Sequence, residues 1–222
     1  MTTDLVRSIL NDEFTVTIKI VDDEGIPIGH LWPITKAAGS NSELIQRLTD
    51  WRNRARTHFF TQFTATYERT RSWLKDIVLP DDHRLLFVIN SDSKPLGHIG
   101  FRDLHDRTVE LDNLIRGEIG GHPQLIYHSE VALIHWMFQN LEIDSVCAWV
   151  LAHNTVVSSL HKRVGFEPVE RVPLLKVQQE GTLRFEKGDP TGVSPSGLYA
   201  QRIVLTLDRY RALAGAGGCS MR

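Results

Sequence analysis

The chain has 222 residues, 41% of them hydrophobic and 23% charged, with a mean hydropathy of −0.19. That length suits one domain with a core of its own, and the composition favours a soluble globular protein over a disordered or membrane one. A formal net charge of −2 supplies no basic footprint for nucleic acid.

No apolar run approaches the ~18 residues a membrane helix requires, and the start, MTTDLVRSILNDE, is too polar and acidic for a signal peptide. Cys147 and Cys219 are far apart and fit a reducing compartment without a disulfide framework. The cytoplasm is the expected location.

In chain order, residues 13–33 are expected to form a β-hairpin: Phe14, Val16, Ile18 and Ile20 alternate, "DDEG" turns, and Ile26 to Trp32 return. "SNSE" reads as a capping box of Ser40 with Glu43, opening a helix that carries Leu44, Ile45, Leu48 and Trp51 on one face. Basic residues gather at Arg47, Arg52, Arg54 and Arg56, either as a solvated face or as a site for phosphate or an acidic substrate. A second helix is expected over 66–78. Strands follow at 85–89, 96–101 and 109–115, the first two joined as a hairpin through "NSDSKP". The longest helix is expected over 123–141, then a strand at 145–151 and a helix closing on Gly165. "EPVERVPLLKVQ" and "LYAQRIVLTL" read as two more strands, separated by a mobile Gly/Pro/Ser-rich loop near 186–197. Residues 1–212 are expected to be one domain, with 1–29 an N-terminal extension and 213–222 a flexible tail. The order implies an α/β (α+β) fold around a mixed sheet.

The segment "LIRGEIGGHPQLI" joins a strand to a helix through a glycine-rich loop. Free N–H groups and the helix dipole, about half a positive charge, make such a junction an anion site. Pro123 suits the first helical position, and no Asp or Glu enters the first helical turns. A plain βα loop is the other reading, and Glu118 within the loop speaks for it.

"NTVVSSLHKRVGFEPVE" (154–170) resembles the cofactor-side helix of the GNAT superfamily of acyl-CoA-dependent N-acyltransferases. The matching residues are Asn154, Val157, Leu160, His161, Arg163, Gly165 and Phe166. "SVCAWVL" stands where the family's splayed strand should be, and "HLWPIT", "LIQRLTDWRN" and "LFVINSDSKPLGHIGF" resemble its earlier elements, so roughly 30–207 is covered. The resemblance implies a mostly antiparallel twisted sheet of six to seven strands flanked by helices, with the N-terminal hairpin as an addition. The phosphate loop departs from the family's usual Gln/Arg-x-x-Gly-x-Gly/Ala. "ELDNLIRG" and "DWRN" are instead similar to the branch that acetylates nucleotide-linked amino sugars.

The resemblance also implies roles. Leu114, Ile115 and Arg116 would pair their backbone with the pantetheine arm of acetyl-CoA, the acyl donor. Backbone N–H groups across Gly120, Gly121, Gln124, Leu125 and Ile126 would take the pyrophosphate. Asn154 would hydrogen-bond the pantetheine region, cap its helix, or do both. His161 stands where the family often has a Tyr that protonates the departing thiolate, a task open to an imidazole near neutrality; a packing role is the other reading.

Glu110 and Asp112 share one strand face by the period of two and could accept the amine's proton. They could equally be satisfied by Arg102 or Arg107, with solvent as the base. Trp51, Arg52 and Asn53 are candidates for the acceptor site. His98, His105 and His128 fit no zinc spacing, so no metal is expected.

The expected activity is transfer of acetyl from acetyl-CoA to a small-molecule primary amine by direct attack in a ternary complex, with no nucleic-acid or membrane partner and a monomer or homodimer as the working state. A protein N-terminal acetyltransferase, like those acting on ribosomal proteins, and an acyl-CoA-binding module without turnover are the alternatives.

Overall fold

The computed structural model describes residues 2–216. The N-terminal extension is not an appendage. Helix α1 (Thr2–Leu10) buries Val6, Ile9 and Leu10, and its start carries too few apolar residues to announce it. Strands β1 (Ile18–Val21) and β2 (Pro27–Pro33) form the expected hairpin, but pairing begins at Ile18 and Phe14 is left 52% exposed. Asp22 sets the turn, its carboxylate accepting from the N–H groups of Glu24 and Ile26 at 2.9 and 2.8 Å.

Helix α2 (Ser42–Arg54) is capped one residue later than expected. Asn41 Oδ1 accepts from Leu44 N–H at 3.0 Å, Ser40 belongs to the preceding 3-10 turn, and Glu43 pairs with Arg47 instead of closing a box. Ile45, Leu48 and Trp51 form the buried stripe. A two-residue strand β3 (Thr61–Gln62) precedes helix α3 (Tyr67–Trp73), which widens into a π turn over Leu74–Val78.

The centre is laid down by β4 (Leu85–Ser91), β5 (Lys94–His105) and β6 (Thr108–Arg116), then helix α4 (Leu125–Asn140), β7 (Ser145–Leu151) and helix α5 (Thr155–Val164). Strand β4 is buried along its whole length, as its apolar run requires. Gly165 ends α5 with φ 117°, donating to the carbonyls of His161 and Lys162. The chain closes with β8 (Glu167–Gln179), β9 (Thr182–Lys187), β10 (Tyr199–Thr206) and α6 (Leu207–Ala216).

Among the described residues ten strands join in the order β1-β2-β4-β5-β6-β7-β10-β8-β9-β3, against the expected six to seven plus the N-terminal hairpin. The surplus comes from β3 and from a β8–β9 hairpin turning at Glu180-Gly181, so the irregular loop begins only after Lys187. The single parallel pair among the described strands is β6–β7, and it requires a crossover, which α4 supplies while packing on β1, β2 and β5. Helix α6 extends through residues 213–216, where a tail was expected. Cys219 and the remainder of that expected tail lie outside the described residues. No described helix is long and apolar enough to cross a membrane.

Candidate active site

Strands β6 and β7 run together only at Thr108–Ser145, Val109–Val146 and Glu110–Cys147 among the described residues. Past Glu110 they part, β7 pairing onward with β10 while β6 continues to Arg116. Part of the divergence is local. Asn113 takes φ 55° and the β5–β6 register slips between Asp112 and Ile115, a bulge that re-aims the strand. A cavity of about 620 Å³ occupies the fork. Leu114, Ile115 and Arg116 line it from β6, with Asn154, Val157 and His161 from the α5 side. The β7-facing backbone edge of β6 past Glu110 therefore has no strand partner, an open edge inside a sheet.

The loop after β6 is tied down at both ends. The N–H groups of Gly117 and Glu118 both reach Leu96 O, at 2.8 and 2.9 Å, and Arg116 donates to Gly120 O at 3.0 Å. Gly120 and Gly121 take φ 134° and 67°, conformations open to glycine. Pro123 is not the first helical residue: Gln124 flanks α4 and Leu125 opens it. No side chain caps α4 and its first turn holds no acid, so its N-terminal dipole is unanswered within the helix. Gln124 is held through its side-chain oxygen by Arg163 at 2.7 Å, and Arg163 also lies over Tyr127. Leu125 is a core residue at 1% exposure, and Ile126 packs on that core. Gly120, Gly121, Gln124, Leu125 and Ile126 lie past Gly117, where the cavity lining ends on this side.

Asn154 caps α5, its Oδ1 accepting from Val157 N–H at 3.3 Å, and the residue also lines the cavity. His161 is buried, not an exposed helix histidine. Its Nδ1 lies 2.6 Å from Glu130 Oε1, and Phe166 sets the edge-to-face partner of its ring at 5.4 Å.

Glu110 and Asp112 meet on one face and share Arg102, at 2.6 and 3.6 Å, whereas Arg107 goes to Asp144. Burial alone would lower the Arg102 pKa, but Asp112, Glu110 and Asp103 more than reverse it and hold the guanidinium charged. Asp112 also accepts from Asn113 Nδ2 at 2.6 Å.

At the end of α2 the three candidates separate. Trp51 lines the cavity, is fully buried, and donates Nε1–H to Glu118 at 2.8 Å. Asn53 lies outside the cavity lining and clamps the chain, since its amide gives to Ala65 O and takes from Ala65 N–H. Arg52 is likewise turned away from the cavity lining, its Nη2 on Thr61 O and its guanidinium 3.5 Å from the Phe59 ring centroid. Burial pushes its pKa down to about 10, which leaves it cationic at neutral pH. His98, stacked near Trp51, is lowered to about 4 chiefly by burial and is neutral.

The sequence reading missed the far wall. His58, Phe60, Trp149, Phe185 and Lys187 complete the cavity, together with Arg54 of the basic cluster. Lys187 sits 3.7 Å from the Trp149 ring centroid, and the N–H of Phe185 donates to Phe60 O at 2.7 Å, stitching β9 to the segment after α2. It missed Glu130 too, although that is the one acid in an otherwise uncharged or basic α4 and so the signal was there. Among the described residues the one grouping of metal-type ligands is Asp81, Asp82 and His83, whose carboxylates are engaged by Arg84 and Arg7.

A strand pair that parts to open a backbone edge, beside an uncapped helix N-terminus, is a site for an extended ligand with an anionic end. The Acetyltransferase (GNAT) domain family matches residues 41–167, more than half of the 222. The chain belongs to the GNAT family. It is an acetyl-CoA-dependent acyltransferase that acetylates an amine.

Solved GNAT structures share its fold. RimL, a ribosomal L7/L12 α-N-protein acetyltransferase in complex with coenzyme A, superposes with a TM-score of 0.64 at 10% identity over 87% of this chain and 99% of that one. FdhC, a nucleotide-linked sugar GNAT, gives 0.62 at 11% identity over 91% and 98%. The Campylobacter jejuni N-acetyltransferase PseH gives 0.52 at 16% over 82% and 99%. No curated protein matches the chain.

Proposed function

We propose that this GNAT enzyme acetylates the primary amine of a small molecule, with a nucleotide-linked amino sugar as the acceptor class, by direct attack in a ternary complex. The observation that carries the reading is the aromatic and basic wall at the far end of the fork. The β8–β9 hairpin, bonded to β3, adds Phe185 and Lys187 to a wall that already has Phe60 and Trp149. Aromatic faces suit a base or sugar ring, while His58 and Lys187 suit phosphates, Arg54 being held by Glu118 and Gly117 O at 2.8 and 2.7 Å. Burial lowers the Lys187 pKa, with Glu110 opposing. A peptide N-terminus, as in the ribosomal-protein alternative, calls for an open groove in place of this wall.

In this reading the unpaired edge of Leu114, Ile115 and Arg116 adds the pantetheine amides as a further strand, and Asn154 hydrogen-bonds beside it. Backbone N–H groups from Gly120 and Gly121 to Ile126 receive the pyrophosphate, helped by the α4 dipole, and those of Gln124 and Leu125 join them on leaving His122 Nδ1 and His122 O. Asp112, with Glu110 beside it, accepts the amine proton directly or through water. His161 returns a proton to the departing thiolate. Trp51 supports the floor through Gly117.

The test is thiol release from acetyl-CoA with three acceptor panels: nucleotide-linked amino sugars, simple amines, and peptides with free N-termini. Release with the first panel alone, and a Lys187→Met variant whose acceptor KM rises about tenfold while its acetyl-CoA KM holds, supports the reading. Release confined to peptides replaces it with the N-terminal alternative.

A further inference from the structure

Glu130 is fully buried on the core side of α4, where the burial of an unpaired carboxylate is costly. Its ion-pair partner among the described residues is His161, 2.6 Å away across the α4–α5 contact and likewise buried. The other carboxylate oxygen, Oε2, is buried without a hydrogen bond, so the bond to His161 is the one polar anchor of the side chain. From the other side, the imidazole meets the edge-to-face ring of Phe166 at 5.4 Å. The backbone beneath it is also fixed, since the His161 carbonyl accepts from the N–H groups of both Gly165 and Phe166. This ring has one orientation.

An ionised carboxylate only accepts hydrogen bonds, so the imidazole nitrogen facing it must carry hydrogen. That nitrogen is Nδ1. The remaining nitrogen, Nε2, has no partner among the described residues, and the residue borders the cavity. We propose that Glu130 is a positioning residue for acetyl transfer: it holds His161 in the Nδ1–H form, so that Nε2 is the atom through which protons enter and leave the cavity.

The proposal rests on His161 being the proton donor to the leaving thiolate. In that step the amine nitrogen forms the C–N bond and the C–S electron pair goes to sulfur. The Nε2–H bond of the imidazolium breaks as S–H forms, giving free thiol and neutral imidazole. Glu130 stays ionised throughout, as the buried acid does behind a catalytic histidine in a Ser-His-Asp triad. The amine's own proton leaves by Asp112 or water. Without Glu130 the neutral ring is free to take the Nε2–H tautomer and to rotate, and the donor is misplaced although still present.

Long-range proton–nitrogen spectra of the full-length protein, assigned with His161→Asn, read the tautomer without needing turnover. Nδ1–H in the neutral ring is the expected result; Nε2–H, with the proton on Glu130, overturns the proposal. Kinetics add a second reading. Glu130→Leu fills the volume without an acceptor and is expected to lower kcat by at least about tenfold at unchanged KM for acetyl-CoA, as for a displaced general acid. Glu130→Gln keeps an acceptor oxygen and should recover part of the loss. A purely structural Glu130 predicts the reverse, because leucine suits a core better than an unpaired amide, and wild-type kcat in Glu130→Leu would sink the idea. Should the wild type release thiol with none of the acceptors, the acceptor assignment fails while the spectra still decide the dyad.

Discussion

The Nη2 of Arg102 donates to Oε1 of Glu110 at 2.6 Å, from a half-exposed guanidinium to a carboxylate that is 15% exposed. The same guanidinium meets Asp112 only as an ion pair, 3.6 Å from Nε, which has no hydrogen-bond partner. The two carboxylates are thus unequal. Glu110 is fixed by a charge-assisted bond from the neighbouring strand, whereas Asp112 takes its hydrogen bond from the neutral amide of Asn113 at 2.6 Å, one step nearer the fork. Asp112→Asn should therefore reduce kcat by on the order of 100-fold, and Glu110→Gln by less than about tenfold. Steady-state rates at saturating acetyl-CoA decide between them; equal losses would make the pair one unit.

His98 links stability to pH. Its folded pKa, about 4, lies below the usual 6.5 because burial disfavours the charged ring. In the interval between those values the unfolded chain binds a proton that the folded one refuses. Stability from this group is complete above pH 6.5 and is lost as pH falls through the interval, on the order of 3 kcal/mol in total. Denaturant titrations from pH 7 to 4 should show that slope, and His98→Phe should flatten it. An unchanged slope in the variant would place the acid sensitivity elsewhere.

Gly117 has no room for a side chain. A Cβ there would fall inside the indole of Trp51, whose N–H holds Glu118 in the following loop. Gly117→Ala should cost about 1–3 kcal/mol from overpacking and weaken acetyl-CoA binding by moving the loop. Thermal melts and calorimetry measure the two effects separately.

Asn154 combines two tasks that variants can separate. Asn154→Ala should lose about 1 kcal/mol of stability with the α5 cap. Asn154→Asp keeps a capping oxygen and should melt near the wild type, while losing the amide donor proposed for the cofactor. Weakened acetyl-CoA binding in Asn154→Asp at normal stability is the expected signature; unchanged binding would leave the residue a cap alone.

How far the sequence could be read depended on whether the information was local. The α5 segment was legible because an N-cap, a helical stripe and a glycine in φ > 0 all fall within twelve residues, Asn154 to Gly165. The β8–β9 hairpin was not. Its turn is Glu180-Gly181, at φ 39° and 75°, where an Asn-Gly or Asp-Gly pair would have signalled the same bend. Residues 179–185 were therefore left unassigned between a strand and the loop near 186–197, Phe185 among them, and Lys187 fell within that loop. The capping box failed because Ser40 and Asn41 compete for one helix start and only the three-dimensional entry angle chooses. Glu130 and His161 are 31 residues apart, so no spacing rule joins them. Trp51, Arg52 and Asn53 were adjacent in sequence but point to three different tasks, because consecutive helical positions are about 100° apart.

The fork between β6 and β7 has a mechanical meaning as well. Within the sheet, three residue pairs from Thr108 to Glu110 join the half from β1 to β6 to the half from β7 to β3 among the described residues. An acyl-CoA bound along the free edge of β6 would act as a splint across that seam. Amide hydrogens along Leu111–Arg116 would then exchange with solvent slowly when the thioester is present and quickly after the product thiol departs, so the sheet's own rigidity would rise and fall once in every turnover.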